Sequence, residues 1–146
     1  MGKILYATRG GEASYPTQDT VISLAKEQGD ELVFLYVVDT SFLNQTAAPR
    51  VVDIDLRLEK LGRFQLTMAK ERATGQGLTA EAIVRHGNLR TALIEVAKEI
   101  GATLIVLGRP LGSTAVFKDA ALQVFAYDIQ AETGVGVRIL VAGDPT

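Results

Sequence analysis

Unbroken apolar runs alternate with segments of helical periodicity along the chain. An apolar run without polar alternation is typical of a strand that is buried on both faces, as in a parallel sheet. The clearest run, TLIVL at residues 103–107, ends at Gly108 and opens into a short polar loop. The predicted strands are residues 4–7, 31–38, 78–84, 103–107 and 137–142. The predicted helices run from near Pro16 to Gly29, then over residues 51–74, 89–100 and about 115–130.

Particular residues set the expected helix ends and faces. Pro16 suits the first turn of a helix, and Gly29 and Gly101 are expected to end helices. In the long second helix one face is expected to be buried, and its members are Ile54, Leu58, Leu61, Gln65 and Met68. Residues 39–50 are interpreted as a loop of twelve residues, which is long enough to act as a lid.

This order of elements predicts an α/β protein. With right-handed crossovers, β-α-β-α-β-α-β-α-β gives a Rossmann-like, doubly wound parallel sheet of five strands with helices on both faces. No internal repeat, linker or low-complexity segment interrupts the pattern. Residues 1–146 are therefore expected to form a single domain.

Composition narrows the classes of function. Fifteen basic and 17 acidic residues give a net charge of −2, and no basic run is present, so neither nucleic acid nor a membrane is an expected partner. The absence of cysteine excludes disulfides and thiol nucleophiles and fits a reducing compartment. With no secretory signal and no apolar run near 18 residues, the sequence predicts a cytoplasmic protein.

Chemistry is expected at the carboxyl edge of the sheet, where open α/β sheets bind ligands. Two loops there contain glycine: Gly10 and Gly11 after the first strand, and Gly108 and Gly112 after the fourth. Both loops lead toward a helix amino terminus, where free N–H groups favour anions and glycine lets a phosphate approach. The same glycines also suit ordinary tight turns, so a ligand loop and a structural turn both stay open.

No catalytic residue or metal site is predicted. His86 is the single histidine, and no cysteine or second histidine exists to share a metal with it. It is interpreted as a partly exposed loop residue after the third strand. Asp53, Asp55 and Glu59 lie near the start of the long helix and are interpreted as structural or solvated residues that complement the helix dipole.

Four segments carry a family resemblance. Residues 4–14, ILYATRGGEAS, resemble the opening of the universal stress protein family, a hydrophobic strand that runs into TDGSEAS. Residues 34–39, FLYVVD, are similar to the family's second strand, LLHVVD. Residues 86–97 and 102–108 resemble its third helix and fourth strand. The resemblance covers nearly all of the chain and implies the family's fold.

The resemblance also locates a nucleotide motif from which this chain departs. Family members that bind nucleotides carry Gly-x-x-Gly, nine further residues, and then Gly followed by Ser or Thr, and these residues hold the triphosphate of ATP. Aligned without gaps, the first glycine is Gly108, Leu111 takes the second position, and Gly112 lies one place later. The closing pair becomes Ala121-Leu122.

These departures remove features that a triphosphate site uses. Ala121 lacks the freedom of glycine at positive φ, and Leu122 offers no hydroxyl to a phosphate or a magnesium ion. Arg9 stands where the family has an aspartate that helps to hold the nucleoside, so the local charge is reversed. ATP is therefore expected to bind weakly or not at all, which leaves Arg9 and Arg109 available for another anionic ligand.

The resemblance implies where a ligand would lie and which cofactors are candidates, namely ATP or another nucleotide. The expected nucleotide- or anion-binding residues are Ala7, Thr8, Arg9, Gly10, Val37, Gly108, Arg109, Gly112 and Ser113. Two functions stay open: a regulatory or interaction protein that needs no ATP, and a sensor that binds ATP, AMP or a related anion in altered fashion. An enzyme ranks third, because no nucleophile–base pair is visible.

The protein is expected to form a homodimer through its last strand. Apolar residues alternate along it, and they are Val135, Val137, Ile139 and Val141. The resemblance implies that this strand lies at the sheet edge, where its backbone is free to pair with another chain and where family members commonly dimerise. Val137 and Ile139 also suit the core of their own subunit, so both interpretations stay open.

Overall fold

The computed structural model describes residues 2–8, 15–38, 48–108 and 119–140. These residues form a parallel sheet with helices on both faces. The strands are β1 (Lys3–Ala7), β2 (Glu31–Val38), β3 (Ala80–His86), β4 (Leu104–Gly108) and β5 (Gly136–Leu140). The helices are α1 (Tyr15–Gln28), α2 (Ala48–Gly75), α3 (Leu89–Ile100) and α4 (Asp119–Thr133). The five strands pair in parallel in the order β3-β2-β1-β4-β5. The predicted doubly wound sheet is confirmed.

The two central strands are buried on both faces, which explains why their sequences are apolar without alternation. Leu5 and Tyr6 of β1 and Ile105 and Val106 of β4 are at most 1% exposed. Tyr6 and Val106 face the core beneath α1 and α2, whereas Leu5 and Ile105 face the core beneath α3 and α4. Each helix pair therefore covers one face of the sheet.

Helix α3 begins and ends where the sequence predicts, because local interactions fix both ends. The Asn88 side chain accepts a hydrogen bond of 2.7 Å from the backbone N–H of Thr91, which caps the amino terminus. Gly101 has a φ of 68°, and its N–H donates to the carbonyl of Ala97 at the carboxyl terminus.

Helix α2 turns a different side to the sheet from the one its apolar pattern predicts. Among residues 56–75, whose side chains are described, the buried positions are Gly62, Leu66, Ala69 and Ala73, a stripe about 90° around the helix from the predicted face. Ile54 of the predicted face lies outside the described side chains. A Cβ on Gly62 would overlap the ring of Tyr36 in β2, so glycine is what lets the helix lie this close to the sheet. Leu61, which was expected to be buried, is 47% exposed.

The predicted stripe lies instead on the flank of α2 that faces α1. Arg72, which continues this stripe, forms an ion pair of 2.6 Å with Asp19 of α1 and stacks 4.2 Å above the Tyr15 ring. Gln65 and Met68 on the same flank are half-buried, as this secondary contact requires. The flank that carries the predicted stripe therefore meets α1 through Arg72, whereas three small residues and Leu66 form the buried side.

Several predicted boundaries are corrected. Helix α2 starts at Ala48, so residues 48–50 of the predicted loop are helical; the remaining loop residues, 39–47, lie outside the described residues. Strand β3 begins and ends two residues later than predicted, because Arg85 and His86 continue the ladder opposite Val37 and Val38. The described part of α4 extends three residues beyond its predicted end, to Thr133. Within the described ranges, no helix is long and apolar enough to cross a membrane.

The beginning of the chain is held between two distant segments. The N–H of Gly2 donates to the Asp30 carboxylate over 2.7 Å, and its carbonyl accepts from the N–H of Glu31. Lys3 exchanges hydrogen bonds with Thr103, one hundred residues further along the chain. These contacts fix the register of the central strand β1 against β2 and β4.

Candidate ligand cleft at the carboxyl ends of β1 and β4

Four of the predicted binding residues lie at the carboxyl edge of three neighbouring strands. Ala7 ends β1 and Thr8 follows it, Gly108 ends β4, and Val37 lies near the end of β2. Ala7 pairs with Leu107, so Gly108 is one residue further along, at the level of Thr8. The other predicted binding residues, Arg9, Gly10, Arg109, Gly112 and Ser113, lie outside the described residues.

Beneath this edge the structure places a set of polar groups that we call the cleft floor, formed by Tyr6, Thr8, Thr17 and Gly108. The side chains of Tyr6 and Thr8 are hydrogen-bonded to each other. A Cβ on Gly108 would lie 3.5 Å from the Tyr6 hydroxyl and 3.6 Å from Cγ2 of Thr17. The start of α1 therefore lies beside the end of β4.

Gly108 itself is not explained by backbone geometry or by crowding. Its φ is not among the positive values that five other described glycines adopt. The two nearest contacts of an added Cβ, at 3.5 and 3.6 Å, are ordinary van der Waals distances. A turn that needs glycine is thus not the reason for this residue, which favours the alternative that a ligand approaches the backbone here.

The cleft floor carries no formal charge at neutral pH. Burial raises the pKa of Tyr6 to about 12, and the hydrogen bond with Thr8 lowers it by a smaller amount. Thr8 and Thr17 are 6% and 4% exposed. The described floor therefore offers hydroxyl groups and backbone, and the charge of an anion would have to be met by residues above it.

Sequence reasoning missed Thr17 and its neighbour Gln18, although a signal was present. Together with Thr8 they are the buried polar residues of the described chain. Each precedes a buried apolar residue of α1 by four positions, since Val21 follows Thr17 and Ile22 follows Gln18. Because positions four apart share one side of a helix, this spacing indicates that both polar side chains face inward.

His86 lies away from the cleft and has a carboxylate partner. Its Nε2 is 2.8 Å from Oε1 of Glu59 in α2, and Arg63 lies 3.7 Å from the same oxygen. The hydrogen bond with His86 is the largest cause that holds the pKa of Glu59 below its ordinary value. His86 ends β3, three strand spacings or about 14 Å from β4. It is a strand residue rather than the predicted loop residue.

The described chain shows no assembled metal site, since no three His, Asp or Glu side chains come together there. Asp53 and Asp55, the other acidic residues considered from the sequence, have no described side chains.

The structure places the described members of the predicted dimer set beside a sheet edge and against the core of their own subunit. Within the described residues β5 pairs with β4 alone, so it is an edge strand, as expected. Val135, Val137 and Ile139 are nevertheless half-buried against the core beneath α3 and α4 of the same subunit. Val141 lies outside the described residues.

Comparison with known proteins decides the family. The family model described as "Universal stress protein family" matches residues 1–113. The chain belongs to this family. A universal stress protein of Bacillus subtilis (strain 168), YxiE, is 32% identical over 114 residues, which cover 73% of this chain and 77% of that protein.

Solved structures of universal stress proteins share the fold. A protein of this family from Burkholderia pseudomallei is 23% identical, with a TM-score of 0.70 and 95% of each chain covered. A universal stress protein in complex with cAMP is 19% identical, with a TM-score of 0.68, and the match covers 97% of this chain and 98% of that one.

Proposed function

We propose that this universal stress protein is a regulatory or interaction protein that binds ATP weakly or not at all. The observation that carries the proposal is the position of Ala121 and Leu122. Both lie in the first turn of α4, where a phosphate would meet free N–H groups but no hydroxyl from residue 122. If the triphosphate of ATP loses two hydrogen bonds that the family motif supplies, at roughly 1.5–3 kcal/mol each, the affinity for ATP falls by about a hundredfold or more.

Calorimetry with Mg-ATP tests this proposal. The native chain should give no measurable heat or a dissociation constant far above the low-micromolar range. The variant Ala121→Gly/Leu122→Ser restores the family's closing pair and should bind Mg-ATP more tightly than the native chain. Low-micromolar binding by the native chain would contradict the proposal, because the departures would then have been absorbed elsewhere in the loop.

A second candidate function is a sensor of a nucleotide or a related anion at the carboxyl edge of β1 and β4. Gly108 favours it, because neither its φ nor its surroundings require glycine. The relative that was solved with cAMP shows that a protein of this fold takes a nucleotide. In this candidate Arg9 and Arg109 supply the positive charge that the neutral cleft floor lacks.

Thermal melting with a panel of nucleotides separates the two functions. A ligand at 100 times its dissociation constant should stabilise the protein by about 2.7 kcal/mol. Gly108→Ala should keep the melting temperature of the free protein and lose most of that ligand shift. Arg9→Ala and Arg109→Ala should each reduce the shift. If no nucleotide of the panel shifts the melting temperature, the sensor function is contradicted and the regulatory function is retained.

The proposal includes a homodimer formed along β5, in a single cytoplasmic domain. The edge position of β5 supports it, because an unpaired strand presents main-chain donors and acceptors to a second chain. The half-buried side chains Val135, Val137 and Ile139 then help to hold the strand in place from within. Sedimentation that shows a monomer at tens of micromolar would contradict the homodimer.

A further inference from the structure

The free side of β5 lies beside one particular flank of α4. The backbone N–H of Val137 donates to Oε1 of Gln130 in α4 over 3.4 Å, so this N–H points away from β4. The opposite flank of α4 is bound to α3, because Arg90 pairs with Asp128 and lies 3.6 Å from Glu132. Gln130 therefore marks the flank of α4 that faces the unpaired strand edge.

Tyr127 lies on the same flank and is directed toward solvent. It precedes Gln130 by three residues, which places it about 60° around the helix from Gln130. Its exposure of 76% is the highest among the exposed large hydrophobic residues of the described chain. Val124 is also 69% exposed, but it is turned about 120° from Gln130, onto the outer side of the helix.

Apart from the exposed Arg138, the side chains of β5 are committed to the core of their own subunit. Val135, Val137 and Ile139 already pack against the core beneath α3 and α4. An edge strand by itself offers only repeating main-chain groups, which give affinity but little specificity. A side chain outside the strand is needed to favour a second copy over any other extended chain.

We propose that Tyr127 is the side chain that anchors a second copy of this chain on the β5 edge. The inference rests on the proposed homodimer and adds the residue that specifies it. A two-fold axis normal to the sheet pairs the two β5 strands antiparallel and extends the sheet. The same operation keeps both α4 helices on one face and brings their Gln130 flanks together. Each Tyr127 then lies at the contact with the neighbouring α4, where an amphipathic aromatic side chain is favoured.

Sedimentation equilibrium of the full chain tests the anchor. Tyr127→Ala should raise the dimer dissociation constant by at least about tenfold, which corresponds to a modest hot spot. The matched control Val124→Ala removes an exposed apolar side chain from the same helix and should change the constant by less than about twofold. Circular dichroism should show that both variants remain folded, because both side chains are exposed.

Disulfide trapping supplies an independent measurement, because the native chain contains no cysteine. Tyr127→Cys places single thiols on the two facing flanks and should give a covalent dimer on mild oxidation, whereas Val124→Cys should remain mostly monomeric. Equal trapping of the two variants, or a Tyr127→Ala protein that dimerises like the native chain, would overturn the anchor and leave the homodimer intact. A native chain that stays monomeric would overturn both.

Discussion

The sheet has two edges, and the chain protects them differently. Strand β3 carries the charged residues Glu81 and Arg85, and its last two side chains are tied to helices on both faces. Arg85 pairs with Glu99 of α3 over 2.6 Å, and His86 is hydrogen-bonded to Glu59 of α2 over 2.8 Å. Strand β5 has one charged residue, Arg138, and the neighbouring flank of α4 presents Tyr127 and Gln130.

Charges along an edge strand disfavour the addition of another strand, because pairing would desolvate them. The β3 edge is therefore built to stay unpaired, and the β5 edge is not. In the proposed homodimer, this difference is the reason that the second subunit is placed at β5 and not at β3.

The largest expected effect concerns α2, which covers the β3 side of the sheet. Gly62→Ala should destabilise the protein by about 1–3 kcal/mol, since its Cβ would overlap the Tyr36 ring and force α2 outward. Denaturant unfolding measures the change.

Gly75→Ala is the matched control for this substitution. An added Cβ there has no neighbour within 4 Å, so the control should be neutral or slightly stabilising. Equal effects of the two substitutions would show that the close approach of α2 to β2 carries no energetic weight.

The next prediction concerns main-chain pairing along the free edge of β5. Val137→Pro removes an N–H that points away from β4 and bonds to Gln130 within the subunit. The ladder inside the sheet can therefore be kept, while a donor that a second chain would take over from Gln130 is lost. Self-association should weaken by about tenfold or more in sedimentation experiments.

Proline at Val135 provides the comparison for this variant. The N–H of Val135 donates to Oγ1 of Thr133 before β5 begins, so its loss should leave association largely unchanged. If the two variants behave alike, the β5 edge is not the contact.

A third prediction concerns the removal of the polar side chains that protect the β3 edge. Replacement of Glu81, Arg85 and His86 by threonine should lower solubility and produce concentration-dependent association, because the charges of Glu81 and Arg85 would no longer oppose strand addition. Light scattering across a concentration series detects this change. A variant as soluble as the native chain would show that α2 and α3 alone protect this edge.

The smallest expected effect is the pH dependence of the Glu59–His86 contact. The hydrogen bond with His86 lowers the pKa of Glu59 from its ordinary value of 4.5. A carboxylate with a lowered pKa stabilises the fold above its unfolded pKa, and this contribution is lost as the pH falls through the folded value. Acid unfolding of Glu59→Gln should thus show a weaker loss of stability below about pH 4.5 than the native chain. Coincident curves would show that the contact is not formed in solution.

Sequence patterns predict those parts of the fold that local chemistry decides. The bounds of α3 follow from Asn88 and Gly101, which act within one helical turn. The central strands could be predicted because their apolar runs lack polar alternation, which is typical of strands that are buried on both faces.

The buried side of α2 could not be predicted in the same way, because three of its four buried positions, Gly62, Ala69 and Ala73, are small, and the apolar stripe points elsewhere. Its orientation depends on the fit of Gly62 to Tyr36, which lies 26 positions earlier in the sequence.

The candidate cleft could be predicted in position but not in full composition. The end of β1 and the end of β4 were indicated by apolar runs that stop at Thr8 and Gly108. Thr17 belongs to the cleft floor because α1 packs against β4, and that contact joins segments about ninety residues apart. The partner of His86 is likewise distant, since Glu59 precedes it by 27 residues.

The central position of the first strand has a consequence for how the chain is made. Strand β1 can pair with β2 as soon as residue 38 is available, but its other side waits for β4 at residues 104–107. During synthesis a three-stranded β3-β2-β1 intermediate would expose β1 as an edge until almost three quarters of the 146 residues have emerged. The nascent chain is therefore most vulnerable to wrong pairing while α3 is being translated, and rapid elongation through residues 89–108 would shorten that interval.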